Sequence, residues 1–391
     1  MTSKIDHAAY QPPPDRRWLK FVLLGSAVFL MLFAFPLVWV GSEYFAAQQR
    51  LAAITTIESK GGLVGMPPLT TVPADRPFAQ QVVTQILGDK CYIDASAVTW
   101  SDKDISPILP ALLQLRELRS LSLHDVTLSE SDTLAIARLP LQGLTLQKVE
   151  ISPRQLQQFA TISKLSQLHL TDPAASDEHL EQLPAFPALK SLMLSDTQLT
   201  PDSLKPLAHL ANLEQLVIVP PETVPEEALE PLSQLKHIPS LSLILKQPVE
   251  DSLFDKISQM DGLETLRIGI RMEDQEIECS AEGLAKLGEL SRLKQLQLTA
   301  IPITDDALCG ICQAQQLEHL IIDGSQITDA GIKHLSKLKK LTHLTLYDGQ
   351  LSDVSLKELA KLPALETIEL GDNHLRTRAN NFGLPRTEDA P

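Results

Sequence analysis

The chain is poor in the residues that most often carry chemistry. Only 4% of its 391 residues are aromatic, so few rings are available to stack on sugars and a glycan is disfavoured as ligand. Basic residues are outnumbered, 34 Lys and Arg against 49 Asp and Glu, for a formal net charge of −15. That balance argues against nucleic acid, which demands a basic stripe, and favours solubility. The sequence has no G-x-S-x-G, H-E-x-x-H, Walker loop or Rossmann fingerprint, so no catalytic residue and no cofactor is expected. Its four cysteines are Cys91, Cys279, Cys309 and Cys312. Cys309 and Cys312 have the spacing of a redox pair, but they fall inside a helical segment and not after a strand of a βαβ unit. Two sulfurs are also too few ligands for a metal. Aspartate and glutamate are plentiful, mostly at helix starts, where capping accounts for them.

What the chain does have is periodicity. An L-x-x-L-x-L motif, or its isoleucine-substituted form, starts at Leu118, Leu141, Leu165, Leu189, Leu213, Ile238, Leu263, Leu293, Leu317, Leu341 and Leu365, usually one every 24 residues. In Leu189 to Asn212 the first residues alternate apolar and polar through Leu192, Met193 and Leu194, the period of a strand with one face inward and one in solvent. A parallel sheet covered on both faces would read as a continuous apolar run. The second half changes period: Leu204, Leu207 and Leu210 recur every three residues and predict short helical turns.

The joint between the halves is Thr200-Pro201-Asp202: a capping hydroxyl, a proline tolerated at the first helical position, and an acid suited to the positive helix end. It recurs as Ser152-Pro153, Thr304-Asp305, Thr328-Asp329 and Ser352-Asp353. Strands stack about 4.8 Å apart and helices about 8–10 Å apart, so the layers coexist only if the stack curves, strands inside. Eleven rungs predict a concave sheet on the order of 50 Å long.

Gln326 to Leu346, Q-I-T-D-A-G-I-K-H-L-S-K-L-K-K-L-T-H-L-T-L, resembles the leucine-rich repeat family with an I-T-D-x-G-L helix start, a pattern found in F-box-type and many bacterial repeat proteins. The resemblance covers residues 90–375. It implies an α/β solenoid, a curved parallel sheet with helices on the convex side, acting as a protein-interaction module without catalytic residues. One departure stands out. The family often has Asn, Thr or Cys at the ninth repeat position, bonding neighbouring turns. Here Thr197, Ser325 and Asn373 fit, whereas Val126, Val149, Pro173 and Pro221 do not.

Phe21 to Gly41 contains no charge. Twenty-one residues reach about 31 Å as a helix, enough for a bilayer core, and the run exceeds a secretory h-region. Val40-Gly41-Ser42 is a weak cleavage site, leaving a cleaved signal as the alternative to an anchor. Trp18, Trp39 and Tyr44 lie near its ends, and Arg16, Arg17 and Lys20 precede it, which orients the N-terminus to the cytoplasm. The segment that follows, Ala46 to Gly62, reads as a helix ended by Gly-Gly. Together with R-R-W-L-K-F it resembles the N-terminal module of bacterial membrane-anchored leucine-rich repeat proteins. The expected organisation is a cytoplasmic tail (1–17), a transmembrane helix (18–41), and a juxtamembrane helix with a Pro-rich linker (42–77). An N-terminal cap and irregular first repeat near Tyr92-Ile93 (78–117), the repeats (118–375) and a disordered tail (376–391) follow. In the cap, Phe78, Val82, Val83 and Ile86 predict an amphipathic helix that closes the solenoid.

The third, fifth and seventh positions of each motif are expected on the open face. Most are small and polar. Met193, Val217, Val219 and Ile244 are large and apolar; Arg267 follows on the next rung. His319 and His343 share a column, with Asp323 and Tyr347 expected nearby. These nine residues are the candidate partner-binding surface. Two insertions flank the apolar set, near Val219 to Glu227 and in the acidic run Ile270 to Ser280, and repeat insertions often map to one face. The expected role is a membrane-tethered recognition or scaffold module that binds protein or peptide. The alternatives are a passive, self-assembling envelope element, or a regulator with inverted topology facing the cytosol.

Overall fold

The structure, a computed structural model, describes residues 35–65, 78–87, 95–172, 174–247, 249–271, 279–347 and 349–371. They fall into two units.

The first unit holds most of helix α1 (Phe35–Ser59) and all of α2 (Phe78–Leu87). Here Ala47 and Val83 are buried, with Tyr44 and Leu87 packed against them. The helix expected from Phe78, Val82, Val83 and Ile86 is present, with Val83 buried and Ile86 exposed. Helix α1 runs unbroken through the expected membrane boundary at 41, and Val38, Trp39 and Phe45 on it are exposed. Among the described residues no helix is long and apolar enough to cross a membrane. Residues 18–34, most of the expected span, lie outside them, as do Tyr92-Ile93 and the tail 376–391.

The second unit begins where α1 ends. The amides of Gly61 and Gly62 donate to the carbonyls of Glu58 and Ile57, and Gly61 sits at φ 91°, where a side chain would be strained. This turn delivers strand β1 (Leu63–Gly65), which pairs antiparallel with β2 (Ala97–Trp100). The N-terminal edge of the sheet is thus occupied by the chain's own backbone, as an exposed edge requires.

From β2 onward every neighbour is parallel and in sequence order. The eleven motifs form β3 (Ser120–His124), β4 (Gly143–Gln147), β5 (Gln167–Thr171), β6 (Ser191–Ser195), β7 (Gln215–Val219), β8 (Ser240–Leu245), β9 (Thr265–Ile270), β10 (Gln295–Thr299), β11 (His319–Asp323), β12 (His343–Tyr347) and β13 (Thr367–Gly371). The fourth and sixth motif positions, such as Leu192 and Leu194 or Leu344 and Leu346, are buried on every rung but the last, where Ile368 and Leu370 are half-buried, while the residues between them face out. The backbone beyond the strand also keeps the ladder: Asp125, Lys148, Asp196 and Ala300 adopt φ near 52–56° so that their amides bond the next rung.

The helix starts join the rungs, through an arrangement the sequence did not disclose. The cap hydroxyls are as expected: Ser152, Thr304, Thr328 and Ser352 each accept from a backbone amide of their own helix. The aspartate after the cap does more than face its own helix end. Asp305 accepts from the Thr328 amide (2.8 Å) and hydroxyl (2.6 Å) of the next rung. Asp329 does the same with Ser352 (2.9 and 2.5 Å), and also accepts from the Ser355 hydroxyl. Asp251 binds Ser280 (2.8 and 2.6 Å) across the longest repeat, and Asp177 binds Thr200 (2.7 Å) and Ser203 (2.5 Å). Burial raises the Asp329 pKa, but the Ser352 and Ser355 hydrogen bonds outweigh it and hold the carboxyl below the usual range.

This forward reach needs room. A Cβ on Gly331 would overlap Asp305 Oδ1, and one on Gly283 would overlap Asp251 Oδ1. Nearer the N-terminus the joint is built backwards: Gln155 Nε2 donates to the Leu128 carbonyl (2.8 Å), and His179 Nε2 lies 2.9 Å from the Ile151 carbonyl. The ninth-position bonds are sparse, as expected. The Ser325 hydroxyl donates to the next rung's Tyr347 carbonyl at 3.0 Å, Thr197 bonds only its own strand, and Val126 and Val149 are buried. Pro173 and Asn373 lie outside the described residues.

Candidate functional site

Alternation along β6 to β12 puts the candidate residues on one face of the sheet. Met193 is directly opposite Val217, and both are partly exposed. Val219 follows two positions along β7, and Ile244 holds the same seventh position on β8, opposite Gly269 of β9. The four apolar residues thus occupy two columns over three adjacent strands. Arg267 is exposed on β9, opposite Ser242 of β8 and Gln297 of β10.

Ile244 and Arg267 also line a groove of about 220 Å³ with Ser242, Gly269, Arg271 and Thr299. Sequence reasoning missed Gly269 and Arg271, and it placed Thr299 at the open-face seventh position without selecting it for the site. The available signal was parity: Arg267, Gly269 and Arg271 alternate on one face if the strand continues to 271. The strand ends at Ile270, but its rung-to-rung bonding goes one residue further, since the Arg271 amide donates to the Leu245 carbonyl at 2.8 Å.

His319 and His343 pair in register, and their rings stack with centroids 4.3 Å apart and planes 16° off parallel. Burial, then the neighbouring His343, lowers the His319 pKa below the ordinary imidazole value. His343 Nδ1 is 2.8 Å from the Thr342 hydroxyl. Asp323 and Tyr347 do not join them. They sit four residues further along the same strands, about 13 Å at 3.3 Å per residue, and the Tyr347 ring lies over Gly371 of β13. The expected four-residue cluster is therefore two separate places.

The first insertion is held down. Gln247 Nε2 donates to the Val224 carbonyl at 3.0 Å, and the Val224 amide donates back to Gln247 Oε1. Beyond it, the buried Lys256 reaches Glu226 (3.0 Å) and Glu230 (3.1 Å), tying the 3₁₀ segment Glu226–Gln234 to the helix Asp251–Ser258. Burial alone would lower the Lys256 pKa, but the two carboxylates raise it. Residues 272–278 of the second insertion lie outside the described residues.

Cys309 and Cys312 are both free thiols in and at the end of the helix Asp305–Ile311. Cys312 is fully buried, and burial pushes its pKa up to about 12, far from a reactive thiolate. Lys337 Nζ is 3.6 Å from Cys309 Sγ. Among the described residues no group of three His, Cys, Asp or Glu side chains is placed to hold a metal.

Parallel strands in sequence order, each returned by a short helix, define a leucine-rich repeat solenoid. Residues 315–375 match the leucine rich repeat family. An internalin (InlF) from Listeria monocytogenes is similar in structure at 19% identity and TM-score 0.44, covering 74% of this chain and 84% of that one. Internalin C2 of the same organism gives 21% identity and TM-score 0.38 over 56% of this chain and 84% of that one. The ectodomain of the Arabidopsis thaliana receptor kinase GASSHO1/SCHENGEN3 gives 19% identity and TM-score 0.36 over 68% and 34%. No curated protein matches the chain.

Proposed function

We infer that the chain is a bacterial, membrane-tethered recognition or scaffold module that binds protein or peptide on the open face of its sheet and catalyses no reaction. One observation carries this reading. Polar side chains at the helix starts are occupied in rung-to-rung bonds, whereas Met193, Val217, Val219 and Ile244 are left partly exposed beside a groove. Contiguous exposed apolar groups mark interaction surfaces far more often than isolated ones do. The tether rests on the uncharged run Phe21 to Gly41, and the orientation on the basic residues before it.

A photo-cross-linking residue placed at Val217 or Ile244 of the full chain in native membranes tests the binding face. Discrete cross-linked protein is expected there and not from the exposed helix-side position Ser336. Cross-links equally abundant at Ser336, or absent at both sheet positions, would remove the reading. For the tether, alkaline carbonate should leave the protein in the membrane pellet. A reporter fused to the C-terminus should report export; activity on the cytoplasmic side would invert the topology.

A further inference from the structure

The geometry points to a carboxylate-reading subsite on the open face: the notch over Gly269 takes an aliphatic side chain of a bound peptide, and Arg267 and Arg271 take the carboxylate beside it. This rests on the sheet face being the protein-binding face.

The notch exists because one strand position has no side chain. A Cβ on Gly269 would meet only Thr299 Cβ, at 4.0 Å, so the neighbours leave space that the chain does not fill. Its walls are Ile244 on β8 and Thr299 on β10, both directly opposite Gly269 and therefore about 10 Å apart across two strand spacings. The groove's volume of about 220 Å³ falls below the roughly 300 Å³ at which small-molecule pockets begin. It suits a side chain or two, not a cofactor.

Charge then selects the occupant. Arg267 and Arg271 flank Gly269 on the same strand face, each two residues or about 7 Å away. Both are exposed, and among the described residues neither side chain has an ion pair or hydrogen bond. Some lysines and arginines elsewhere are paired: Lys190 with Glu214, Lys286 with Asp255, and both Arg292 and Lys294 with Glu264. In a chain of net charge −15, two guanidinium groups without a partner among the described residues, lining one notch, are complementary to an anion carried on an apolar ligand. Guanidinium forks match a carboxylate bidentately. A phosphate dianion would want further donors, and the β9 amides are taken by the ladder with β8 and β10. The carboxylate can be an Asp or Glu side chain next to a Leu-like residue, or the C-terminus of a chain ending in one.

Saturation-transfer NMR of the full chain in detergent, at millimolar probe, separates these cases. The probes are acetyl-Leu-Asp-amide, acetyl-leucine with its free carboxylate, acetyl-Leu-Asn-amide and inorganic phosphate. At least one carboxylate probe should bind at least tenfold more tightly than the Asn probe, and the tighter of the two names the source. Arg267→Gln and Arg271→Gln should each weaken that probe about tenfold while leaving the Asn probe unchanged. Gly269→Leu, whose Cβ has room and whose side chain would occupy the groove, should abolish binding without unfolding the chain. Equal binding of the Asn probe, tighter binding of phosphate, no binding of either carboxylate, or an unaffected Gly269→Leu variant would each overturn the assignment. If the subsite fails while cross-links at Val217 and Ile244 persist, the binding face stands and only its ligand chemistry falls; if those cross-links are also missing, the face itself is wrong.

Discussion

Replacing Gly331 with Ala should destabilise the native chain but stabilise a chain that already lacks the Asp305 carboxylate. Asp305→Ala deletes two hydrogen bonds to a charged acceptor and leaves the Thr328 amide without its partner. Such losses cost about 2–3 kcal/mol, here near 2 because the site is only part-buried. Gly331→Ala sets a Cβ against Asp305 Oδ1 and 2.9 Å from its Cγ, so the carboxylate must turn away and the same bonds are lost. Ala returns up to about 1 kcal/mol of helix propensity over Gly, for a net cost of about 1–2 kcal/mol. With Asp305 already Ala, the overlap is gone and Ile327 Cγ2, 3.2 Å away, is the next contact. Gly331→Ala should then gain about 0.5–1 kcal/mol. A double-mutant cycle by urea unfolding of the full chain, followed by circular dichroism, should report a coupling of about 2 kcal/mol. Additivity within about 0.5 kcal/mol would refute the inter-rung account. The chain already contains the relieved version: Ala281 stands where Asp177, Asp251, Asp305 and Asp329 stand in their repeats, and the next rung has Ala307 where Gly331 sits.

Cys312→Ser should cost about 1–3 kcal/mol, because the thiol is fully buried and a hydroxyl there would need a partner. Cys309→Ser should stay within about 0.5 kcal/mol, and a thiol reagent followed by mass spectrometry should label Cys309 while sparing Cys312 in the folded chain. Ala300→Gly should raise stability by about 0.5–1 kcal/mol by relieving a residue at φ 56°, read from the urea midpoint. The His319 pKa is lowered by burial and by His343, so its contribution is complete above the unfolded value of about 6.5 and declines as pH falls through it toward the folded value. Stability against pH in the His319→Gln variant should therefore slope less as pH falls below about 6.5; an unchanged slope would remove the stacked pair as its source. Val217→Asp with Ile244→Asp should leave folding intact and abolish the cross-links; unfolding would mean that these residues belong to the core.

Strands were legible because their signal is local. A two-residue alternation repeated at Leu189, Leu213 or Leu341 needs only neighbouring residues to be read. The cap hydroxyls were legible for the same reason. The aspartate after each cap was read as facing its own helix end, since that is the nearest partner in sequence. Its actual partner lies 23 to 29 residues away and is a neighbour only once the rungs stack. The pattern was nevertheless present. Where a repeat has Asp after its cap, at Asp177, Asp251, Asp305 and Asp329, the next has a small residue three after its own cap: Ser203, Gly283, Gly331 and Ser355. Where it has Pro153 or Glu226 in that place, the next can carry His179 or Leu253. Read as two separate columns these are unremarkable helix-start preferences; read one rung apart they specify a contact.

The open face divides along the same line. Each exposed residue there could be placed from parity alone, and Met193, Val217, Val219, Ile244 and Arg267 are where alternation puts them. Parity says which side a residue is on but nothing about distance along the strand, which is why Asp323 and Tyr347 were grouped with histidines about 13 Å away. It says still less about emptiness. Gly269 makes a notch only because Ile244 stands 25 residues before it and Thr299 30 residues after it. Those two intervals differ because the repeat lengthens between β9 and β10, so a fixed 24-residue ruler slides off register beside the notch. Lengthening a surface connection costs the fold little, and the ladder from β8 to β10 is continuous despite it. The sheet keeps its register across the longest repeat, so a change in repeat length leaves the strand pairing from β8 to β10 intact.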